Sequence, residues 1–325
     1  MKWTALAILM AACGGSGSNN NGTMIDIDAP VGNPTADAPT NPPDPDGSVA
    51  HHTLTVFTIL LENHDYAEII GSANAPYVNS LLAQGALATN YKDTNHPSLP
   101  NYLHMISGAD QYPGIIDVDP TTGPYFPANK PNLGTQFQAA GIKWRAYDES
   151  MGTPCKLAGA GTYAPKHDPF LYFVDQQMGA NNLCATTNVD YSNFEADLAT
   201  NTYRFMWITP NLTDDGHDPA NNPTMALKTS DTWLSVQVPK ILASQAFQDG
   251  GVLFITWDEA EGRNGDDKDK IPMIILSPRI KTAGMTSSAA YTHSSYTATI
   301  EDLFGLPRLA TVTSSPAMME FLNPP

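Results

Sequence analysis

The sequence predicts an α/β fold with a mostly parallel central sheet and helices on both faces. Three observations lead there. Apolar runs of strand length alternate with helical patterns along the chain, the order that builds a parallel sheet from crossover units. The runs are apolar at nearly consecutive positions, as strands covered on both faces require. The body from His51 to Pro325 shows no internal repeat and no second linker, and it is long enough to bury one large core.

A strand is expected over Thr53–Leu61, then a helix over Pro76–Gln84 that stops at Gly85, then a strand over Ala86–Tyr91. A further helix is expected to begin near Pro100, because proline fits the first turn of a helix, where its missing N–H costs nothing. Asn132–Ala140 reads as a helix stopped by Gly141, followed by strands over Ile142–Tyr147 and Arg204–Thr209. Met225–Ala243 is helical in pattern, Val252–Trp257 is an apolar strand, and Met273–Leu276 is a short strand bounded by Pro272 and Pro278.

Ahead of this body, Lys2, the apolar stretch Trp3–Ala12 and Cys13 describe a secretory leader too short to cross a bilayer as a helix. The run Leu9-Met10-Ala11-Ala12-Cys13 resembles a bacterial lipobox, which makes Cys13 a lipidation site. An ordinary cleaved signal is the alternative. Residues 14–50 are rich in Gly, Asn, Pro and Asp without apolar periodicity and read as a disordered tether. The expected organisation is therefore leader and lipobox over 1–13, tether over 14–50 and catalytic domain over 51–325. The protein is expected to be exported and lipid-anchored at the cell envelope, or secreted if unlipidated, with the anchor as its one membrane contact.

A formal charge of −17 argues against nucleic acid as a partner, since phosphate backbones are held by basic patches. An anionic substrate then has to be met by a metal and by local His, Lys or Arg side chains. Cys155 and Cys184 lie in one polar, Gly-rich stretch of an exported chain, and the oxidising compartment favours a disulfide between them.

Residues at the ends of the expected strands suggest the chemistry. Glu62-Asn63 comes directly after the first apolar run, and Asp258-Glu259 directly after the run Val252–Trp257. Open α/β sheets bind ligands at the carboxyl ends of their strands, so these acids read as site residues; entry into a polar loop is the alternative for either pair alone. Ser98, framed by Pro97 and Pro100, is a candidate nucleophile at a helix start, where an incoming phosphate is favoured. A plain helix cap is its alternative. Glu62, Asn63, Ser98, Asp258 and Glu259 together offer oxygen ligands of the type that hard ions such as Mg²⁺, Mn²⁺ or Ca²⁺ prefer, whereas zinc favours His and Cys. His96, His167, His217 and His293 stand in polar segments beside these elements and can meet phosphate or deliver a proton.

The segments Leu61-Glu62-Asn63-His64, His96-Pro97-Ser98-Leu99-Pro100-Asn101-Tyr102-Leu103, Pro165-Lys166-His167-Asp168-Pro169-Phe170, Thr209-Pro210-Asn211-Leu212 with Asp215-Gly216-His217-Asp218, Thr256-Trp257-Asp258-Glu259 and Thr299-Ile300-Glu301-Asp302-Leu303-Phe304-Gly305-Leu306 occur in this order. Together they resemble the bacterial phosphoesterase family of secreted acid phosphatases and phospholipases C, within the alkaline phosphatase superfamily. The resemblance implies an alkaline-phosphatase-like fold in which Glu62, Asn63, Asp258 and Glu259 bind one divalent metal and Ser98 is both ligand and nucleophile. It implies that His217 and His293 act in catalysis and that His96, Lys166 and His167 bind substrate. The role of His64 stays open.

The predicted protein is thus an exported, metal-dependent acid phosphatase that cleaves small-molecule or lipid phosphomonoesters through a phosphoserine. A phospholipase C-type phosphodiesterase and a non-enzymatic surface lipoprotein are the alternatives; the sequence after Leu306 leaves no room for a large C-terminal extension of the phospholipase kind. A sulfatase would need Arg four residues after its modified residue, and Tyr102 stands there.

Overall fold

The computed structural model describes residues 54–111, 117–121, 128–177, 183–217, 222–262 and 269–324. The chain divides into Met1–Pro42 and Pro43–Pro325, and every described residue belongs to the second unit. Cys13, the leader, the tether and Asp218 lie outside the described residues. Among the described residues no helix is long and apolar enough to cross a membrane.

One sheet organises the molecule. Its strands are β1 (Val56–Leu61), β2 (Ala86–Lys92), β3 (Trp144–Asp148), β4 (Asn188–Asp190), β5 (Phe205–Thr209), β6 (Val252–Trp257), β7 (Lys270–Leu276), β8 (Met285–Ser287) and β9 (Tyr291–Thr292). Their order is β4-β3-β5-β1-β6-β7-β2-β8, with β9 also pairing β2. From β4 to β6 every pairing is parallel. Every residue of β1 and β6 is buried. Because successive side chains point to opposite faces, that burial requires cover on both sides of the sheet.

The long apolar runs are strands within three residues of their expected limits. Strand β7 starts at Lys270, three residues early, runs through Pro272 and is antiparallel to both β6 and β2. Proline has no N–H to give a ladder, and the chain accommodates it at an irregularity. The β2–β7 register shifts between Ala88 and Tyr91, whose partners Met273 and Ile271 flank Pro272. The Pro272 carbonyl is still used, accepting from Thr256 Oγ1 at 2.8 Å. Short strands β4, β8 and β9 have no readable pattern of their own.

Helices occupy Pro76–Leu81, Ser98–Ser107, Leu133–Ala139, Phe194–Thr200, Pro223–Leu242 and His293–Phe304. The first ends before Gly85, and that glycine serves another purpose: a Cβ there would lie 2.6 Å from the Ile275 carbonyl oxygen, so only glycine allows β2 to enter beside β7. The helix expected near Pro100 begins at Ser98, with Pro100 tolerated in its first turn. Asn132 and Asn222 cap their helices by accepting the Thr135 and Met225 amides at 3.1 Å each.

Cys155 and Cys184 are joined by a disulfide with a Cα–Cα distance of 5.2 Å, closing a loop of sequence separation 29. Cross-linking a loop of this size removes entropy from the unfolded chain worth on the order of 3 kcal/mol. Reduction, or Cys184→Ser, is expected to lower the thermal midpoint by several degrees; an unchanged midpoint under reducing conditions would show that the bridge adds no stability.

Candidate active site

The carboxyl ends of adjacent parallel strands bring the acids together. β1 and β6 pair through Leu61 and Trp257, so Glu62 and Asp258 leave the sheet side by side. The Asp258 amide donates to the Leu61 carbonyl at 2.9 Å, and the Glu62 amide to the Asp215 carbonyl at 2.8 Å. Asn63 then turns sharply, with φ of 48°. Its amide donates to Asp258 Oδ1 at 3.0 Å and its side-chain Nδ2 to Glu259 Oε1 at 3.1 Å and Glu261 Oε1 at 2.7 Å. One short segment thereby fixes the second acidic pair, nearly two hundred residues away.

Ser98 completes the group. It is the first residue of its helix and Pro97 occupies the cap position, where no side chain makes a capping bond. The hydroxyl instead donates to Glu62 Oε2 at 3.0 Å and lies 3.3 Å from Glu259 Oε1. Asn101 holds the approach to it: its Oδ1 accepts the amides of Thr94 and Asn95, both at 3.1 Å, and its Nδ2 donates to the Asn95 carbonyl at 2.7 Å.

Burial sets the electrostatics. Glu62 and Asp258 are 0 % exposed and Glu259 is 4 % exposed. Burial, then the charges of Glu62 and Glu259, push the Asp258 carboxyl well above its usual range. Glu259 is pushed up to about 8 by burial and by Glu62 and Asp117. Asp258 Oδ2 is buried without a hydrogen-bond partner. Carboxylates crowded in this way, with an oxygen left over, fit a bound hard cation. The expected ligands Glu62, Asn63, Ser98, Asp258 and Glu259 therefore do converge. A neighbouring trio, Asp93, His96 and Asp269, also brings one ligand atom each within 4.8 Å of the others.

The cationic side chains divide into two groups. His96 and His217 are about half exposed: His96 Nδ1 is 2.6 Å from Glu259 Oε2, and His217 Nδ1 is 3.9 Å from Glu62 Oε2. They stand at the mouth of the acid cluster. His167 is deep, 2 % exposed, with Nε2 3.3 Å from Glu62 Oε1. Burial and the neighbouring Lys166 hold its pKa well below the usual value. Lys166 pairs with Asp117; burial opposes its charge, but Glu62 and Asp117 outweigh that and raise its pKa.

His293 does not join them at the mouth. It is 0 % exposed, with Nε2 2.6 Å from the Asp258 carbonyl oxygen and Nδ1 2.9 Å from the Tyr91 hydroxyl. Burial lowers its pKa to about 3, so the ring is neutral, donating from Nε2 and accepting the Tyr91 proton at Nδ1. His64 points to Glu68, 3.0 Å away, and shares no bond with the acids.

Tyr102 is a site residue that reading the sequence misses. Its hydroxyl donates to Glu62 Oε1 at 2.6 Å, and its ring stacks on His167 with centroids 5.2 Å apart. A signal for it exists, since Tyr102 is one helical turn beyond Ser98 and shares its face. Asp215 lies in the segment Asp215-Gly216-His217-Asp218 already singled out for its histidine, whereas Asp117 and Glu261 stand in loops with no pattern that marks them.

A largely parallel sheet that presents acids and a helix-starting serine at its carboxyl edge is a fold shared with the alkaline phosphatase superfamily. A protein of that superfamily from Vibrio parahaemolyticus superposes with a TM-score of 0.54 at 13% identity, covering 80% of this chain and 68% of that one. The lipoteichoic acid synthase of Listeria monocytogenes superposes with a TM-score of 0.55 at 10% identity, covering 82% and 74%. The model of the Phosphoesterase family matches residues 71–307, and the chain belongs to that family as a phosphoric ester hydrolase. It is 27% identical to a phosphatidylinositol-3-phosphatase of Mycobacterium tuberculosis, covering 82% of this chain and 81% of the relative. It is 29% identical to a phosphate-repressible acid phosphatase of Penicillium chrysogenum, covering 95% and 72%. It spans 55% of the length of an acid phosphatase of Aspergillus fumigatus, at 27% identity.

Tyr102→Phe keeps the ring on His167 and removes the donor to a fully buried carboxylate oxygen. The variant is expected to lose about 1–3 kcal/mol of stability in denaturant unfolding. Wild-type stability would mean that the hydroxyl is dispensable and the residue acts through packing alone.

Proposed function

We propose that this protein is an exported, metal-dependent acid phosphatase that hydrolyses phosphomonoesters through a phosphoserine at Ser98. The observation that carries this reading is the placement of the Ser98 hydroxyl, buried at a helix N-terminus and 3.0 Å from Glu62 Oε2. The names of the relatives, acid phosphatase and phosphatidylinositol-3-phosphatase, support small-molecule or lipid phosphomonoesters as the substrate class.

Glu62, Asn63, Ser98, Asp258 and Glu259 would hold one divalent cation, most suitably Mg²⁺, Mn²⁺ or Ca²⁺, since the donors are oxygens. Such an ion supplies a lowered hydroxyl pKa and polarisation of a phosphoryl oxygen. The chain's own residues do the rest. Ser98 Oγ attacks phosphorus and the ester oxygen leaves, with His217 at the mouth placed to give that oxygen a proton. Lys166 and His167 face the phosphoryl oxygens from the inner side, and His96 does so from the entrance. Water then cleaves the phosphoserine. His293 acts indirectly in this scheme, its bond to the Asp258 carbonyl holding the end of β6 in place. Positioning and electrostatic stabilisation account for most of the rate.

Ser98→Ala is expected to lower turnover of a phosphomonoester by about 10³-fold or more, and acid quenching of wild type during turnover should trap phosphate on Ser98. Asp258→Asn is expected to reduce bound metal and activity together. Near-normal turnover by Ser98→Ala, or full activity after exhaustive chelation, would sink the corresponding part of the scheme.

The proposed location rests on the sequence before the catalytic domain. Cys13→Ser removes the thiol that would carry the lipid and is expected to move the protein from the membrane fraction to the soluble one with activity intact. A wild type that is soluble and lipid-free after export would rule the anchor out.

A further inference from the structure

Asp93, His96 and Asp269 lie beside the Ser98 group but outside it. Strands β2 and β7 end their antiparallel pairing at Lys92 and Lys270, and one residue further the Asp93 amide donates to the Asp269 carbonyl at 2.9 Å. The register therefore sets two aspartates opposite each other at the end of the ladder, an arrangement that like charges oppose. Lys270 belongs to the other face by the alternation of a strand, and its ammonium sits 4.3 Å from the centre of the Tyr66 ring.

His96 closes the group. One carboxylate oxygen from each aspartate and a ring nitrogen of His96 lie within 4.8 Å of one another. His96 Nε2 is 3.9 Å from Asp93 Oδ2. That separation is too long for a hydrogen bond, yet two ligands of one ion stand about 3–4.3 Å apart when each bond is about 2.0–2.2 Å.

The other ring nitrogen points the same way. Nδ1 is 2.6 Å from Glu259 Oε2, and a carboxylate accepts there, so the proton of a neutral ring sits on Nδ1 and Nε2 turns its lone pair to the aspartates. Histidines that ligate metals have this partner as a rule: the second N–H goes to a carboxylate, which fixes the tautomer and the ring orientation. An imidazolium shared between Glu259 and Asp93 is the alternative, and the 3.9 Å gap leaves it without a charge-assisted hydrogen bond on the Asp93 side.

We propose that Asp93, His96 and Asp269 form a second cation site, which takes a divalent ion of the Zn²⁺ or Mn²⁺ type and fixes His96 against Glu259. Mixed imidazole and carboxylate donors suit such ions, whereas Mg²⁺ and Ca²⁺ favour oxygen alone. Glu259 joins the two sites: its Oε1 is 3.3 Å from the Ser98 hydroxyl and 3.1 Å from Asn63 Nδ2, while its Oε2 meets His96. Asp93 ties them a second time, because its Oδ2 accepts the Ala260 amide at 2.8 Å. With the ion bound, both nitrogens of His96 are engaged, so His96 serves the entrance through the cation it holds rather than as a direct donor to phosphate. That last role rests on the phosphatase reading; the binding of the ion does not.

Counting metal on the full-length chain decides the matter. Wild type, Asp269→Asn, His96→Gln and Asp258→Asn are stripped with chelator, checked for folding by circular dichroism, and titrated with MnCl2 and with ZnCl2 by calorimetry and elemental analysis. Wild type is expected to bind two ions per chain. Asp269→Asn and His96→Gln should each weaken one of them by about 10-fold or more, and Asp258→Asn should weaken the other. His96 is about half exposed, so its replacement keeps the test in hand should Asp269→Asn fail to fold. The proposal is overturned if wild type binds no ion, or a single ion that Asp258→Asn removes, or if Asp269→Asn and His96→Gln bind both metals as wild type does. A single ion that survives Asp258→Asn and is lost in Asp269→Asn would uphold this site and take the metal away from the Ser98 group. Two ions without any hydrolysis of p-nitrophenyl phosphate would uphold the site and end the phosphatase reading.

Discussion

Concentrated negative charge in a water-poor setting is the constraint around which this molecule is arranged. Glu62, Asp258 and Glu259 leave adjacent parallel strands into a buried space, and Coulomb repulsion there is far stronger than it would be in water. Every nearby donor answers it. Ser98, Tyr102, the Asn63 amide and its side chain all point hydrogens at these carboxylates. The serine hydroxyl is thus held in place by the same acids that suit a cation, which couples the proposed nucleophile to the proposed metal site.

The supporting parts come from separate layers of the fold. Tyr102 joins the Ser98 helix to Glu62 and to the His167 ring. His293 joins the last long helix to the end of β6 and to Tyr91 on β2. A disturbance in any of these elements reaches the acids through one hydrogen bond. The antiparallel strand β7 belongs to this scheme as well: by reversing direction between β6 and β2 it brings β2, and with it the segment leading to Ser98, alongside the parallel half of the sheet.

The acidic group at Ser98 is open at its mouth, where His96 and His217 are about half exposed, and its donors leave an oxygen of Asp258 unused. An approaching group therefore meets partly exposed imidazoles first and buried carboxylates behind them.

The sequence by itself determined the alternation of strands and helices, because hydrophobic period and glycine or proline punctuation are local properties of the chain. It also determined which acids end the strands and which serine starts a helix, since those residues are contiguous with the elements that position them. The tertiary structure alone decided what those residues touch. The direction of β7, the withdrawal of His293 behind Asp258 and the grip of Tyr102 on Glu62 depend on strand order and on contacts between distant segments. No local pattern encodes such contacts, because they arise only when β3, β5, β1 and β6 are laid side by side and the loops beyond them are brought to a common edge.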